Sequence, residues 1–102
     1  MIKEMDICQY LKERTDSSDD VLVDTRDGVT YKFGTICDAV NIPLDDIKNL
    51  YKLPKDKKIY VFCQSGMISG EYVQLLTDAG YDACNLTGGY RKYIKEFGLK
   101  NK

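Results

Sequence analysis

The stretch Ile59-Tyr60-Val61-Phe62-Cys63-Gln64-Ser65-Gly66-Met67-Ile68-Ser69 decides the fold. Its first four residues are apolar, β-branched or aromatic, and predict a buried strand. The strand runs directly into Cys63. Ser65 to Ala79 then reads as a helix, with Ile68, Tyr72, Leu75, Leu76 and Ala79 along one face. Gly80 is a suitable C-terminal stop for it. A strand that passes through a glycine-containing loop into a helix is the repeating step of an α/β fold. In open α/β sheets, ligands bind at the carboxyl ends of the strands, and Cys63 stands at such an end.

The flanking sequence repeats the alternation. Val21-Leu22-Val23, ending in Asp24, reads as a buried strand. Ala39 to Ile42 reads as another, stopped by Pro43. Ala83 to Leu86 is a further short strand. Ile2 to Arg14, with Ile7, Tyr10 and Leu11 apolar, predicts a short amphipathic helix. Leu44 to Tyr51 has helical spacing at Leu44, Ile47, Leu50 and Tyr51. Gly88-Gly89 turns the chain into a last helix, about Tyr90 to Phe97, with Tyr90, Tyr93, Ile94 and Phe97 inward. Thr15 to Asp20 reads as a loop, and Thr25 to Gly34 as turn-rich. The 102 residues fit one domain, with a core from about residue 5 to 97. Strands alternating with helices predict a largely parallel sheet with right-handed crossovers.

Composition removes several functions. Fifteen basic and sixteen acidic residues leave a net charge of −1, with no basic footprint for nucleic acid or an anionic membrane. The apolar runs are only a few residues long, so none spans a bilayer. The opening MIKEMDICQY mixes charges into its apolar residues and does not read as a signal peptide, which points to the cytoplasm. The four cysteines, at 8, 37, 63 and 84, lack zinc-ribbon spacing, and no secretory signal favours a disulfide framework. There is no histidine. A Cys-His or Ser-His catalytic pair is therefore excluded, and any activated cysteine must rely on something other than imidazole.

The loop after Cys63 supplies an alternative. Gly66 lets the backbone curl so that successive N–H groups point inward, onto the start of a helix. Such a concavity binds anions without a charged side chain. A thiolate is an anion, so the same donors lower its pKa. The arrangement also suits a persulfide. A cysteine at the end of an apolar strand is otherwise a small buried hydrophobe, and that plainer reading holds for Cys84 and Cys8. Cys37 falls in a loop. Cys84 could resolve a Cys63 persulfide to a disulfide only with their Cα atoms within about 7 Å.

Taken together, these residues resemble the rhodanese-like domain family, over about Met5 to Phe97. Val21-Leu22-Val23-Asp24-Thr25-Arg26 resembles the opening strand and its Asp-x-Arg. Gly34-Thr35-Ile36-Cys37-Asp38-Ala39-Val40-Asn41-Ile42-Pro43 resembles Gly-His-Ile-x-Gly-Ala-x-Asn-Ile-Pro. Cys63-Gln64-Ser65-Gly66 falls where the family places its active cysteine. Asn85-Leu86-Thr87-Gly88-Gly89-Tyr90 resembles the closing Asn-Leu-x-Gly-Gly-aromatic. The resemblance implies a five-stranded, mainly parallel sheet with helices on both faces. It implies sulfane-sulfur transfer through a persulfide on Cys63, cradled by the amides of Gln64, Ser65, Gly66, Met67, Ile68 and Ser69. Asp24 and Arg26 are expected as a supporting hydrogen-bonded pair. The implied partners are small-molecule or protein persulfide and thiol donors and acceptors, with no cofactor and no metal.

The departures are informative. Where many active members carry arginine, just after the cysteine and at the fifth position after it, this chain has Gln64 and Ile68. Arginine's planar fork suits an oxyanion such as thiosulfate. Its absence favours a less anionic sulfur source. The apolar Met67-Ile68 rim fits an apolar substrate portion or a partner surface, while Ile68 also reads as the start of the helix's core stripe. The family's histidine is Thr35, expected to replace a structural hydrogen bond. Related cysteine phosphatases need Cys-x5-Arg, and Ser69 stands at that arginine. The arginine-free loop leaves a second class open: a non-catalytic binding or regulatory module, for example one beside a redox enzyme.

Overall fold

The computed structural model describes residues 2–15 and 18–98. Residues 16 and 17 of the expected 15–20 loop, and the ends of the chain beyond 2 and 98, lie outside the described residues. The elements in chain order are β1 (Lys3–Asp6), α1 (Ile7–Glu13), β2 (Val21–Asp24), α2 (Gly28–Phe33), β3 (Val40–Asn41), a 3-10 helix (Leu44–Lys52), β4 (Ile59–Phe62), α3 (Met67–Asp78), β5 (Ala83–Thr87) and α4 (Gly89–Glu96).

The sheet order is β1-β5-β4-β2-β3, and every pairing is parallel. β4 is central because its residues are apolar on both sides, and Ile59, Val61 and Phe62 are fully buried. Successive residues face opposite ways. Ile59 and Val61 join Val23, Tyr72, Val73 and Leu76 in one core, under α3 and the 3-10 helix. Phe62 joins Ile7, Leu22, Ile36 and Leu86 in a second, with Tyr90, Tyr93 and Phe97 of the last helical segment packed on it. The sheet thus has helices on both faces. Buried tyrosine hydroxyls donate to carbonyls, Tyr72 to Ile42 (2.9 Å) and Tyr81 to Leu53 (2.7 Å).

Five local expectations are corrected. The helix expected from Ile2 is preceded by β1, which pairs with β5 from Lys3↔Cys84 to Asp6↔Thr87. Asp6 ends the strand by capping α1, its carboxylate accepting from the N–H groups of Cys8 (2.9 Å) and Gln9 (3.2 Å). The turn-rich segment contains α2, capped by Asp27, which accepts from the Thr30 N–H at 2.8 Å. β3 spans only Val40–Asn41. Leu44–Lys52 is 3-10 rather than α-helical, with non-helical backbone at Asp46.

The fifth correction concerns the face of α3. The helix begins at Met67, after Gly66 adopts a left-handed φ of 99°. Its buried residues are Ser69, Tyr72, Val73 and Leu76, while Ile68 is 50 % exposed and Leu75 37 %. The inward stripe is rotated by one position, so that Ser69 rather than Ile68 faces the sheet. Leu76→Ala is therefore expected to lower unfolding free energy by about 2–5 kcal/mol, and Leu75→Ala by only about 1 kcal/mol. Urea denaturation of both variants checks the rotation.

Candidate functional site

β2 and β4 place the central residues. The Thr25 N–H donates to the Phe62 carbonyl at 3.0 Å and carries the ladder past the end of both strands. Cys63 follows, 3 % exposed. The chain then meets α4. The Tyr90 N–H donates to the Cys63 carbonyl (2.8 Å) and the Arg91 N–H to the Gln64 carbonyl (3.0 Å). Gly89, at φ 61°, permits this crossing: a Cβ there would lie 2.5 Å from the Cys63 oxygen. Gly66 is tied to the same corner, with the Gly88 nitrogen 3.3 Å from where its Cβ would be.

With those two carbonyls held by α4, the amides that follow turn toward the sulfur. The Gly66 N–H donates to Cys63 Sγ at 3.0 Å, and the Ser69 hydroxyl lies 3.3 Å from it. Ser69 Oγ also lies 2.5 Å from Asn85 Oδ1. The Asn85 amide nitrogen donates to the Gly66 carbonyl (2.9 Å) and to the Glu4 carboxylate (3.2 Å), which assigns its oxygen to Ser69. Ser69 has one proton and two acceptors. It turns to the sulfur when Cys63 is a thiolate. When Cys63 is protonated, the thiol donates to Ser69 and Ser69 to Asn85.

Burial pushes the Cys63 thiol up, but the Ser69 hydroxyl and the amides of Ser69, Gly66 and Ser65 outweigh it and hold the pKa below the ordinary thiol value. The group is an acid with a depressed folded pKa. The stability that it contributes is fully present above the unfolded pKa and is lost as pH falls through the folded one. Burial raises the pKa of Cys8 and of Cys84.

Asp24 and Arg26 form a buried pair. The Arg26 guanidinium donates to the Asp24 carboxylate (2.7 Å) and to the Gly34 carbonyl (2.6 Å), and lies 3.8 Å from the Tyr90 ring centroid. The Thr35 hydroxyl donates to Asp24 at 2.7 Å, so the threonine makes the structural hydrogen bond expected of it. Above Cys63 is a cavity of about 350 Å³ walled by Thr25, Arg26, Asp27, Thr30, Gln64 and Ile68. A second, of about 340 Å³, shares Arg26, Thr30 and Gln64 and adds Phe33, Tyr90, Arg91 and Ile94. Met67 is 78 % exposed and walls neither. Tyr93 is likewise absent from both walls and packs on Tyr90 and Phe97.

Cys84 does not reach the site. It pairs with Tyr60, three residues before Cys63, and at about 3.3 Å per residue that exceeds the Cα separation a disulfide spans. Cys37 is exposed and takes a positive φ of 52°. Two residues to which the sequence reading assigned no role matter at the site: Asn85, and Thr25 beside Cys63. The one local sign of Asn85 was a polar residue between Cys84 and Leu86 in an apolar strand. Ser69→Ala is expected to raise the pH midpoint of Cys63 alkylation by about one unit, the loss of one hydrogen bond to the thiolate. Alkylation rate against pH, resolved for Cys63 by mass spectrometry, measures it.

Comparisons with known proteins agree with this fold. The chain matches the rhodanese-like domain over residues 8–96. It is 32 % identical to a sulfurtransferase of Allochromatium vinosum, over 87 % of this chain and 85 % of that one. It is 33 % identical to the tRNA uridine(34) hydroxylase of Bdellovibrio bacteriovorus over 87 % of its own length, but spans only 27 % of that longer protein. The crystal structure of a rhodanese-like domain protein from Staphylococcus aureus superposes with a TM-score of 0.80 at 30 % identity, covering 88 % of this chain and 89 % of that one. The fold has counterparts among known proteins, and the chain belongs to the rhodanese-like domain family.

Proposed function

We propose that this domain is a sulfurtransferase that moves sulfane sulfur through a persulfide on Cys63. The observation that carries the reading is a buried thiol at a strand end, facing the Gly66 N–H and the Ser69 hydroxyl, with its pKa held down in a chain that has no histidine. The thiolate attacks the terminal sulfur of a donor persulfide R–S–SH. The Sγ–S bond forms, the donor's S–S bond breaks, and R–S⁻ leaves with the electron pair. An acceptor thiolate then attacks the outer sulfur, and Cys63 leaves as a thiolate. The two steps balance without cofactor or net oxidation. The loop from Gln64 through Ser65, Gly66, Met67 and Ile68 to Ser69 holds the sulfur, and Asp24 with Arg26 braces it.

The cavity supports a weakly charged donor. Arg26 is already paired with Asp24, Asp27 adds a carboxylate, and Gln64 and Ile68 are neutral. Thiosulfate carries its charge beside the transferred sulfur, and the one guanidinium on the wall of the Cys63 cavity is already paired, Arg91 lining only the adjoining cavity. A persulfide on a small thiol or a partner protein suits the site better. The same arginine-free loop favours a second reading, a binding or regulatory module. The similarity to a 27 % segment of a longer hydroxylase is compatible with it.

Incubation with inorganic polysulfide, a small-thiol persulfide and thiosulfate, followed by mass spectrometry, separates the two. The transferase reading expects one added sulfur on Cys63, absent in Cys63→Ser, and loading by thiosulfate slower by about tenfold or more. No added sulfur from any donor would leave the binding reading standing.

A further inference from the structure

Among the described residues, one buried side-chain polar atom has no hydrogen-bond partner: the hydroxyl of Thr25. Thr25 is 6 % exposed and walls the cavity that contains Cys63. Its place follows from the register. β2 and β4 pair Asp24 with Phe62, and the Thr25 N–H donates to Phe62, so the next pair is Thr25 beside Cys63. Residues paired across adjacent strands put their side chains on one face, about 5 Å apart.

A buried hydroxyl is normally satisfied, and one left without a partner costs stability. The other buried hydrogen-bonding groups around the sulfur are engaged, whereas the Gln64 carboxamide on the same wall is exposed to solvent. Arg26 donates to Asp24 and Gly34. Asp27 accepts from the Thr30 N–H and hydroxyl. Gly66 and Ser69 address Cys63 Sγ itself. Thr25 therefore offers a donor, already desolvated, to whatever occupies the space next to Sγ.

We infer that the Thr25 hydroxyl binds the transferred sulfur, the outer atom of the Cys63 persulfide. This rests on the transferase reading above. The two sulfurs then have separate donors. Gly66 and Ser69 hold Sγ, and Thr25 holds the outer sulfur, which carries the negative charge once the persulfide is deprotonated. When an acceptor thiolate attacks that outer sulfur, the Sγ–S bond breaks and its electron pair returns to Sγ, where Gly66 and Ser69 receive it. The outer sulfur departs bonded to the acceptor. Thr25 keeps its proton throughout.

The test compares wild type, Thr25→Val and Thr25→Ser, each loaded with inorganic polysulfide and freed of excess. Valine keeps the branched shape and removes the hydroxyl. Serine keeps the hydroxyl. Thr25→Val is expected to lose its Cys63 persulfide about tenfold faster than wild type, with Thr25→Ser near wild type. The alkylation pH profile of sulfur-free Cys63 should be the same in all three, and the melting temperature of sulfur-free Thr25→Val should not fall. A wild-type persulfide lifetime in Thr25→Val overturns the inference alone. So does a shifted alkylation profile, which would place Thr25 on the thiol, or a clear drop in melting temperature, which would give the hydroxyl a structural partner. Wild-type protein that takes no sulfur overturns the transferase reading, and this inference with it.

Discussion

The carbonyls of Cys63 and Gln64 point away from the sulfur and accept from the first amides of α4, at 2.8 and 3.0 Å. A loop of this length has few ways to turn successive N–H groups inward, and engaging two carbonyls elsewhere selects one of them. The contact is close enough to exclude any side chain at Gly89. It joins the end of β4 to the corner after β5, so the site exists only when the sheet is assembled. The sulfur's environment is thus a property of tertiary structure, built from backbone dipoles whose charge does not titrate.

Cysteine activation without histidine follows from that arrangement. Burial opposes the thiolate, and one hydroxyl and a few amides reverse the balance. The amides are fixed, but Ser69 is not. Its single proton moves between Sγ and Asn85 as Cys63 changes charge, so neither state leaves the sulfur without a partner. On the opposite side of the site, Asp24 is buried without exposure and answered by Arg26, Thr35 and its own loop's backbone. The desolvation cost of a buried ion pair offsets much of its attraction, so the pair is weak evidence for stability. Here it holds β2, the Gly34 turn and the face of Tyr90 in one register around the cavity.

Much of this was legible in the sequence because it was local. Ile59 to Phe62 could only be a buried strand, Asp24-Thr25-Arg26 and Gly88-Gly89 mark corners, and Cys63 sits where a strand gives way to a helix. What was not legible depends on residues far apart. β1 is a charged edge strand, with Lys3 and Glu4 exposed, and only its pairing with β5 distinguishes it from the start of a helix. The face of α3 is not legible from apolar spacing because its inward first turn is the polar Ser69, buried by its contacts to Cys63 and Asn85, while the apolar Ile68 is half exposed. Asn85 reaches Ser69 across the α3–β5 packing, and Thr25 stands beside Cys63 through the β2–β4 register. No spacing rule along the chain carries either contact.

The central claim is that the pKa of the Cys63 thiol is held below the ordinary thiol value by backbone amides and one hydroxyl rather than by a base. Ultraviolet thiolate absorbance, taken as the difference between wild type and Cys63→Ser across pH, titrates that one group directly. The account predicts a midpoint clearly below the free-thiol value of about 8.5. A midpoint at or above that value would contradict it, and would make Cys63 an ordinary buried thiol.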